Sequence, residues 1–150
     1  MYFFSARMIF IAFVLAITFL SLNSSALAQG LVVQNTVVQQ WRQGLSGAKL
    51  TSYSGSVINS NSTLTVIDFC RNGRYNYYKE GSWSVPGTAG GASNNTVTGR
   101  WRIQQQGNYT MLEYVTDQGE RGVFPIYLQN NGRVNIGGTE FAAQQGGAGC

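Results

Sequence analysis

Cys70 is the residue of this chain whose neighbours most suggest chemistry. It precedes Arg71 and Arg74 in the stretch DFCRNGRYNYY, residues 68–78, and a thiol beside basic groups can be a nucleophile, a metal ligand, half of a disulfide or a small core residue. The chain contains no histidine. This excludes Ser-His and Cys-His nucleophile arrangements and the commonest metal ligand, and two cysteines without histidine do not make a zinc site. We therefore expect no metal and no cofactor.

The six acidic residues are the remaining candidates for catalysis. A pair of carboxylates can hydrolyse a glycoside, but Asp117 and Glu120 fall in a predicted turn, where solvated charge is the usual explanation. Glu113 stands between Leu112 and Tyr114 in a predicted strand, and it is the one acid expected near an interior. The inventory thus predicts no catalytic residue and a protein that is not an enzyme.

The N-terminus predicts export. Residues 8–22 form an apolar run (MIFIAFVLAITFLSL), and Ala26-Leu27-Ala28 supplies the small residues of a signal-peptidase site before Gln29. A retained membrane anchor is the weaker alternative, because the run is shorter than the roughly 20 residues of a spanning helix. We expect a secreted or periplasmic protein with no stable membrane insertion after cleavage. Its formal charge of +4 is spread along the chain, which makes nucleic acid an improbable partner.

An oxidising compartment and an even cysteine count favour a disulfide between Cys70 and Cys150. The Gly-rich tail, residues 144–150 (QQGGAGC), is too poor in side chains to fold alone and can bring Cys150 to Cys70. Two alternatives stay open at this point: a buried free Cys70 with an exposed Cys150, and covalent attachment to a partner through Cys150.

Alternation of apolar and polar residues with a period of two dominates the rest of the chain and predicts strands. We expect about eight strands, over residues 49–58, 63–71, 74–85, 96–105, 108–116, 121–129, 133–136 and 139–142. Asn72-Gly73 is a hairpin signal. As a two-residue turn it would set Cys70 opposite Tyr75 and direct Phe69, Ile67 and Tyr78 to the core. Residues 86–95 (PGTAGGASNN) are predicted to be a flexible loop.

One segment favours a helix, over residues 35–43, because apolar residues recur there at intervals of four; an extended arm is the alternative. The predicted organisation is a signal peptide (1–28), an N-terminal arm and short helix (29–46), a β-barrel domain (47–143) and a Gly-rich flexible tail (144–150). The fold class is all-β: an antiparallel meander closed into a small barrel, since closure removes unpaired strand edges.

The segments IDFCRNGRYNYY, TGRWRI and VNIGGTEF, together with Trp41 and Leu45-Ser46-Gly47, resemble small bacterial secreted lipocalin-like domains. In those families a strand ending in an Asn-Gly turn is followed by an aromatic strand, a Gly-x-Trp strand and a closing strand. The resemblance extends over residues 41–141. It implies a lipocalin-like barrel with a binding or accessory role.

Aromatic side chains are the candidate binding residues. A barrel of about eight strands encloses either packed side chains or one small ligand. The residues predicted to line a ligand site at the barrel mouth are Tyr75, Tyr77, Trp83, Trp101, Tyr109 and Tyr114. The expected function is a non-catalytic binding protein for an apolar or aromatic molecule. The alternative is a protein-interaction, inhibitor or envelope-associated module that acts on an extracytoplasmic protein through its loops and Cys150.

Overall fold

Eight antiparallel strands close into a barrel in the computed structural model, which describes residues 36–55, 61–85 and 89–150. The predicted signal peptide lies outside the described residues. The strands are β1 (Lys49–Gly55), β2 (Ser62–Phe69), β3 (Arg74–Val85), β4 (Ala89–Gln106), β5 (Tyr109–Thr116), β6 (Arg121–Leu128), β7 (Val134–Ile136) and β8 (Thr139–Gln144). Helix α1 spans residues 36–45. Among the described residues no helix has the length and apolarity to cross a bilayer.

Each strand pairs with the next along the chain, and β8 returns to β1 through the pairs Lys49↔Gln144 and Thr51↔Ala142. The predicted all-β meander of eight strands and its closure are therefore confirmed. Beyond Thr51, however, β1 pairs with β2 alone, and β4 before Gly99 pairs with β3 alone. These parts of β1 to β4 extend past the closed section as an open four-stranded sheet.

The predicted register of the β2–β3 hairpin is wrong by one residue. Phe69 pairs with Tyr75 and Ile67 with Tyr77, because the turn contains three residues and not two. Cys70 N donates to Arg74 O at 2.8 Å, Gly73 N donates to Cys70 O at 3.1 Å, and Gly73 has φ of 80°. A slip of one residue moves every side chain to the other face of a strand. Tyr75 and Tyr77 therefore point inward, whereas Tyr78 lies outside and donates to Glu80.

The same three-residue turn recurs in two other hairpins. Gly119 and Gly132 occupy the place of Gly73, with φ of 91° and 77°, and the flanking backbone bonds match, as in Gln129 N to Arg133 O at 2.8 Å. A type I turn followed by a left-handed glycine is the usual three-residue hairpin loop. Only glycine adopts that last conformation without strain.

The predicted loop over residues 86–95 is wrong for its second part. Residues 89–95 belong to β4 and pair with β3 from Val85↔Ala89 to Lys79↔Asn95; residues 86–88 lie outside the description. Glycine, serine and asparagine have low strand propensity, but backbone hydrogen bonding to β3 outweighs their tendency to form loops.

The core lies at the end of the barrel where β1 begins. Leu45, Ala48 and Leu50 are almost fully buried, and Val38 and Trp41 of α1 pack against the core cluster. The helix was predicted over residues 35–43; position 35 is outside the described residues, and the helix continues to residue 45. Gly47 follows with φ of 81° and lets the chain turn from the helix into β1.

The C-terminal tail is tied to this same end. Ala148 N donates to Gly47 O at 3.2 Å, and the Gln145 side-chain amide donates to Gly44 O. Cys150 and Cys70 form a disulfide, with the sulfurs 2.00 Å and the Cα atoms 5.7 Å apart. The predicted pairing is confirmed. A free Cys70 and attachment through Cys150 do not apply to this oxidised form.

Candidate functional site

A cavity of about 270 Å³ lies inside the barrel. Its wall is apolar except near the β5–β6 turn, where Thr116 and the exposed Glu120 contribute; we call this end of the barrel the mouth. The lining residues are Ile67, Phe69, Tyr75, Tyr77, Val97, Trp101, Leu112, Tyr114, Thr116, Glu120, Phe124 and Ile136.

Alternation along the strands places these side chains. Tyr75 and Tyr77 face inward on β3, opposite Gly99 and Val97 of β4. Gly99 has no side chain, and a Cβ there would lie 2.8 Å from the Tyr75 ring. The glycine thus lets the ring lie across β4, at the point where β4 changes its partner from β3 to β5.

Ring-to-ring contacts hold the aromatic wall in shape. Tyr75 meets Tyr114 edge-on, with centroids 6.1 Å apart, and Tyr114 stacks on Phe124 at 5.8 Å and 14°. Deeper in the barrel, Phe69 and Trp101 pack edge-on at 5.0 Å. Pairs at these separations contribute roughly 0.5–1.5 kcal/mol beyond their buried area. These contacts fix the positions of the rings in the wall relative to one another.

The mouth carries negative charge that is partly neutralised. Asp117 accepts from the Thr98 hydroxyl at 2.5 Å and from Arg74 Nη2 at 2.6 Å. The Thr98 hydrogen bond, followed by that of Arg74, lowers the pKa of Asp117. The Glu120 backbone is fixed by its N–H, which donates to Thr116 Oγ1 at 3.0 Å.

Tyr75 connects the mouth to the cavity. Burial, with smaller contributions from Tyr114, Asp117 and Glu120, raises the pKa of Tyr75 to about 12. The Tyr75 phenol is thus neutral at physiological pH. Trp101 Nε1 is buried without a hydrogen-bond partner among the described residues, and a buried unpaired donor is uncommon in native proteins.

Four of the six predicted ligand-binding residues come together at the cavity: Tyr75, Tyr77, Trp101 and Tyr114. Tyr109 does not, because it lies on the outer face of β5 with 70% of its surface exposed. Trp83 lies on β3, and its side chain is outside the description.

Several residues that line the cavity are not among those predicted from the sequence. Phe124 could have been found from the alternation of Gly122, Phe124 and Ile126 along β6. The sequence predicts that Glu120 is a solvated charged residue in a turn, and no local signal distinguishes it from Asp117. Its place at the mouth follows from the closure of the barrel.

Glu113, predicted to lie near an interior, points away from the barrel interior, although its side chain is only 13% exposed. Leu112 and Tyr114 take the inward positions, so Glu113 falls on the outer face. There its Oε2 lies 2.6 Å from both Nε and Nη2 of Arg102. This forms a structural ion pair on the outside of the sheet.

Comparison with known proteins adds no relative: no family model, no curated protein and no solved structure matches this chain. Among the described residues, no three of the types His, Cys, Asp and Glu cluster as metal ligands would. The cavity and its wall are therefore the features of the structure that bear on function.

Proposed function

We propose that this protein is a non-catalytic binding protein that holds a small apolar or aromatic ligand in the barrel mouth. The observation that supports this function is the cavity of about 270 Å³ between aromatic rings. An eight-stranded barrel has just enough interior for its own side chains to fill. A space left among large rings is what a binding protein requires.

The size and lining of the cavity suit a compact molecule. Its volume equals that of roughly nine waters at their liquid density. Pockets that bind small molecules have volumes from about 300 Å³ upward. Burial of apolar ligand surface would provide the affinity, since each Å² removed from water contributes about 25 cal/mol.

The chemistry of the wall supports binding without catalysis. The Tyr75 phenol is neutral, Asp117 is engaged by Thr98 and Arg74, and the chain has no histidine. We therefore propose no nucleophile and no cofactor at this site, and we assign the Glu120 carboxylate at the mouth to binding and not to catalysis.

We further propose that the protein acts in a secreted or periplasmic setting, as a lipocalin-like domain would. The N-terminal apolar run supports export. The Cys70–Cys150 disulfide is compatible with an oxidising compartment, where such bonds persist. The closed eight-stranded barrel is compatible with the lipocalin-like resemblance.

Binding is tested with tert-butylbenzene, a neutral apolar probe, followed through the indole N–H signals in NMR spectra. We expect a Kd of about 0.1 mM, or about −5.5 kcal/mol, with the largest shift at Trp101. Val97→Trp fills the cavity and should abolish binding. Val123→Trp makes the same change on the outer face of β6, where Val123 is 42% exposed, and should leave binding intact. Equal affinity of the two variants would place the probe elsewhere and contradict the proposal.

An interaction module remains the second candidate, supported by exposed apolar side chains on β6. Val123, Tyr127 and Leu128 are 42%, 49% and 64% exposed, and aromatic and aliphatic surface residues serve as anchors in protein interfaces. Covalent capture through Cys150 does not fit the disulfide-bonded form. If β6 forms the contact, Leu128→Asp should abolish capture of an extracytoplasmic partner and leave tert-butylbenzene binding unchanged.

A further inference from the structure

The cavity has an uneven distribution of charge. Among the described residues that line the cavity, the one charged side chain is that of Glu120, at the mouth, and none is a lysine or arginine. The other polar side-chain groups of the lining residues are hydroxyls and the Trp101 indole N–H. A ligand inside therefore meets negative charge at the entrance and uncharged surface elsewhere.

Aromatic faces add to this negative character. Each ring carries a quadrupole with electron-rich faces, which attract cations placed over them. Tyr114 and Phe124 lie nearly parallel, whereas Tyr75 stands at 81° to Tyr114. Tyr114 and Phe124 stack on each other, so the faces that meet in this pair are closed to a ligand. The ring surfaces that remain on the cavity wall are the ones that a cation would contact.

The Glu120 carboxylate is available to a ligand. Within the described part of the chain, ion pairs join Lys49 to Asp68, Arg74 to Asp117 and Arg102 to Glu113, and Glu120 belongs to none of them. Its charge also acts on the cavity, because it is one of the groups that raise the pKa of Tyr75.

On β3, the cationic side chain on the same face as Tyr75 and Tyr77 is Lys79. It follows Tyr77 by two residues on β3 and so lies about 7 Å farther along the strand, where it is exposed. It forms no ion pair with Glu120. The Glu120 carboxylate is thus in no ion pair with a lysine or arginine of the described residues and can contact an incoming group.

From these features we infer that the ligand is a small organic cation, with a methylated ammonium group held between the Glu120 carboxylate and the aromatic wall of Tyr75, Tyr114 and Phe124. This inference rests on the proposed function of the same cavity. A quaternary methylated ammonium, such as a trimethylammonium group on carbon, has no N–H groups that need hydrogen-bond partners, so a wall of rings can replace its water shell. A primary ammonium would lose hydrogen bonds that this wall does not return.

The test compares phenyltrimethylammonium with tert-butylbenzene, two probes of the same shape that differ in having nitrogen with a positive charge or carbon at the branch point. Isothermal titration calorimetry measures the cation at low salt, and NMR measures the neutral probe. We expect the cation to bind about tenfold more tightly, because its attraction to the Glu120 carboxylate and to the rings together outweighs the loss of its water shell. Glu120→Gln should weaken cation binding about tenfold and leave tert-butylbenzene binding unchanged.

Glu140→Gln is the matched control. It makes the same charge change on β8, where the exposed Glu140 accepts a hydrogen bond from Gln129 at 2.9 Å, and it should alter neither affinity. Unchanged binding of the neutral probe shows that the Glu120→Gln variant is folded.

The outcomes separate this inference from the proposed function. If tert-butylbenzene binds as tightly as the cation, or if Glu120→Gln leaves cation binding unchanged, the cation inference is overturned and the apolar binding site stands. If neither probe binds the wild-type protein, both the inference and the proposed function are wrong.

Discussion

Replacement of Gly99 by alanine should destabilise the barrel strongly. Gly99 pairs with Tyr75 on β3 and with Thr116 on β5, at the point where β4 passes from one neighbour to the other. A Cβ at this position would overlap the Val115 carbonyl oxygen and lie 2.9 Å from Thr116 Cα and 2.8 Å from the Tyr75 ring. Two of these three contacts are with backbone, which cannot rotate away.

The cost can be worked out from these contacts. Overpacking in a well-filled interior costs roughly 1–3 kcal/mol. Separation of β4 from β5 would also weaken neighbouring bonds such as Asp117 N to Thr98 O at 2.9 Å, each of which contributes about 1 kcal/mol. Alanine recovers roughly 0.5–1 kcal/mol through its lower chain entropy in the unfolded state. The net expectation is a loss of about 2 kcal/mol in the free energy of unfolding.

Urea unfolding followed by tryptophan fluorescence measures this loss, and Gly81→Ala is the matched control. Gly81 is also a paired strand glycine, opposite Ser93, but a Cβ there would meet only ordinary contacts, the nearest being Ser93 Oγ at 3.5 Å. The control should leave stability unchanged or raise it by up to about 1 kcal/mol, because it gains the entropy term without a clash. A Gly99→Ala loss below about 1 kcal/mol, or equal losses in the two variants, would refute the steric argument.

Three further predictions concern the disulfide and two titrating groups. Cys150→Ser should lower the free energy of unfolding by about 4 kcal/mol, because the disulfide closes a sequence separation of 80 residues in the unfolded chain; a reductant should reproduce this loss in the wild-type protein and have no effect on the variant. Burial raises the pKa of Tyr75 to about 12, so its contribution to stability is complete below about pH 10 and is lost as pH rises toward 12; in an absorbance titration Tyr75→Phe should remove the phenol that ionises late, and an unchanged curve would contradict the assigned burial. Thr98 and Arg74 lower the pKa of Asp117, so its contribution is present above about pH 4 and is lost as pH falls through the lowered pKa; the shift in urea midpoint between neutral and acid pH should be smaller in Asp117→Asn than in the wild-type protein.

The inward face of β4 was predictable because alternation is a local property. Val97, Trp101 and Ile103 share one face whatever the strand pairs with, and the structure places Val97 and Trp101 on the cavity wall and buries Ile103. The disulfide was predictable for a similar reason, since the chain has two cysteines and few pairings to choose from.

The register of the β2–β3 hairpin was not predictable in this way. Asn72-Gly73 fits a two-residue turn and a three-residue turn, and the two differ by one residue in the pairing that follows. The three-residue turn brings Phe69 and Tyr75 inward together, where they are 1% and 6% exposed. Burial of these two rings favours the observed register more strongly than any preference within the turn itself.

By itself, the sequence determined that the chain forms about eight antiparallel strands, where most of their turns fall, and which single disulfide the chain can form within itself, because each of these depends on neighbouring residues or on a small inventory. Tertiary structure alone decided that a cavity exists and what faces it. The wall combines Tyr75 and Tyr77, turned inward by the hairpin register, with Phe124 and Glu120 from a distant hairpin. These side chains meet only when the barrel closes, since the space between them depends on ring sizes, glycine positions and strand register together.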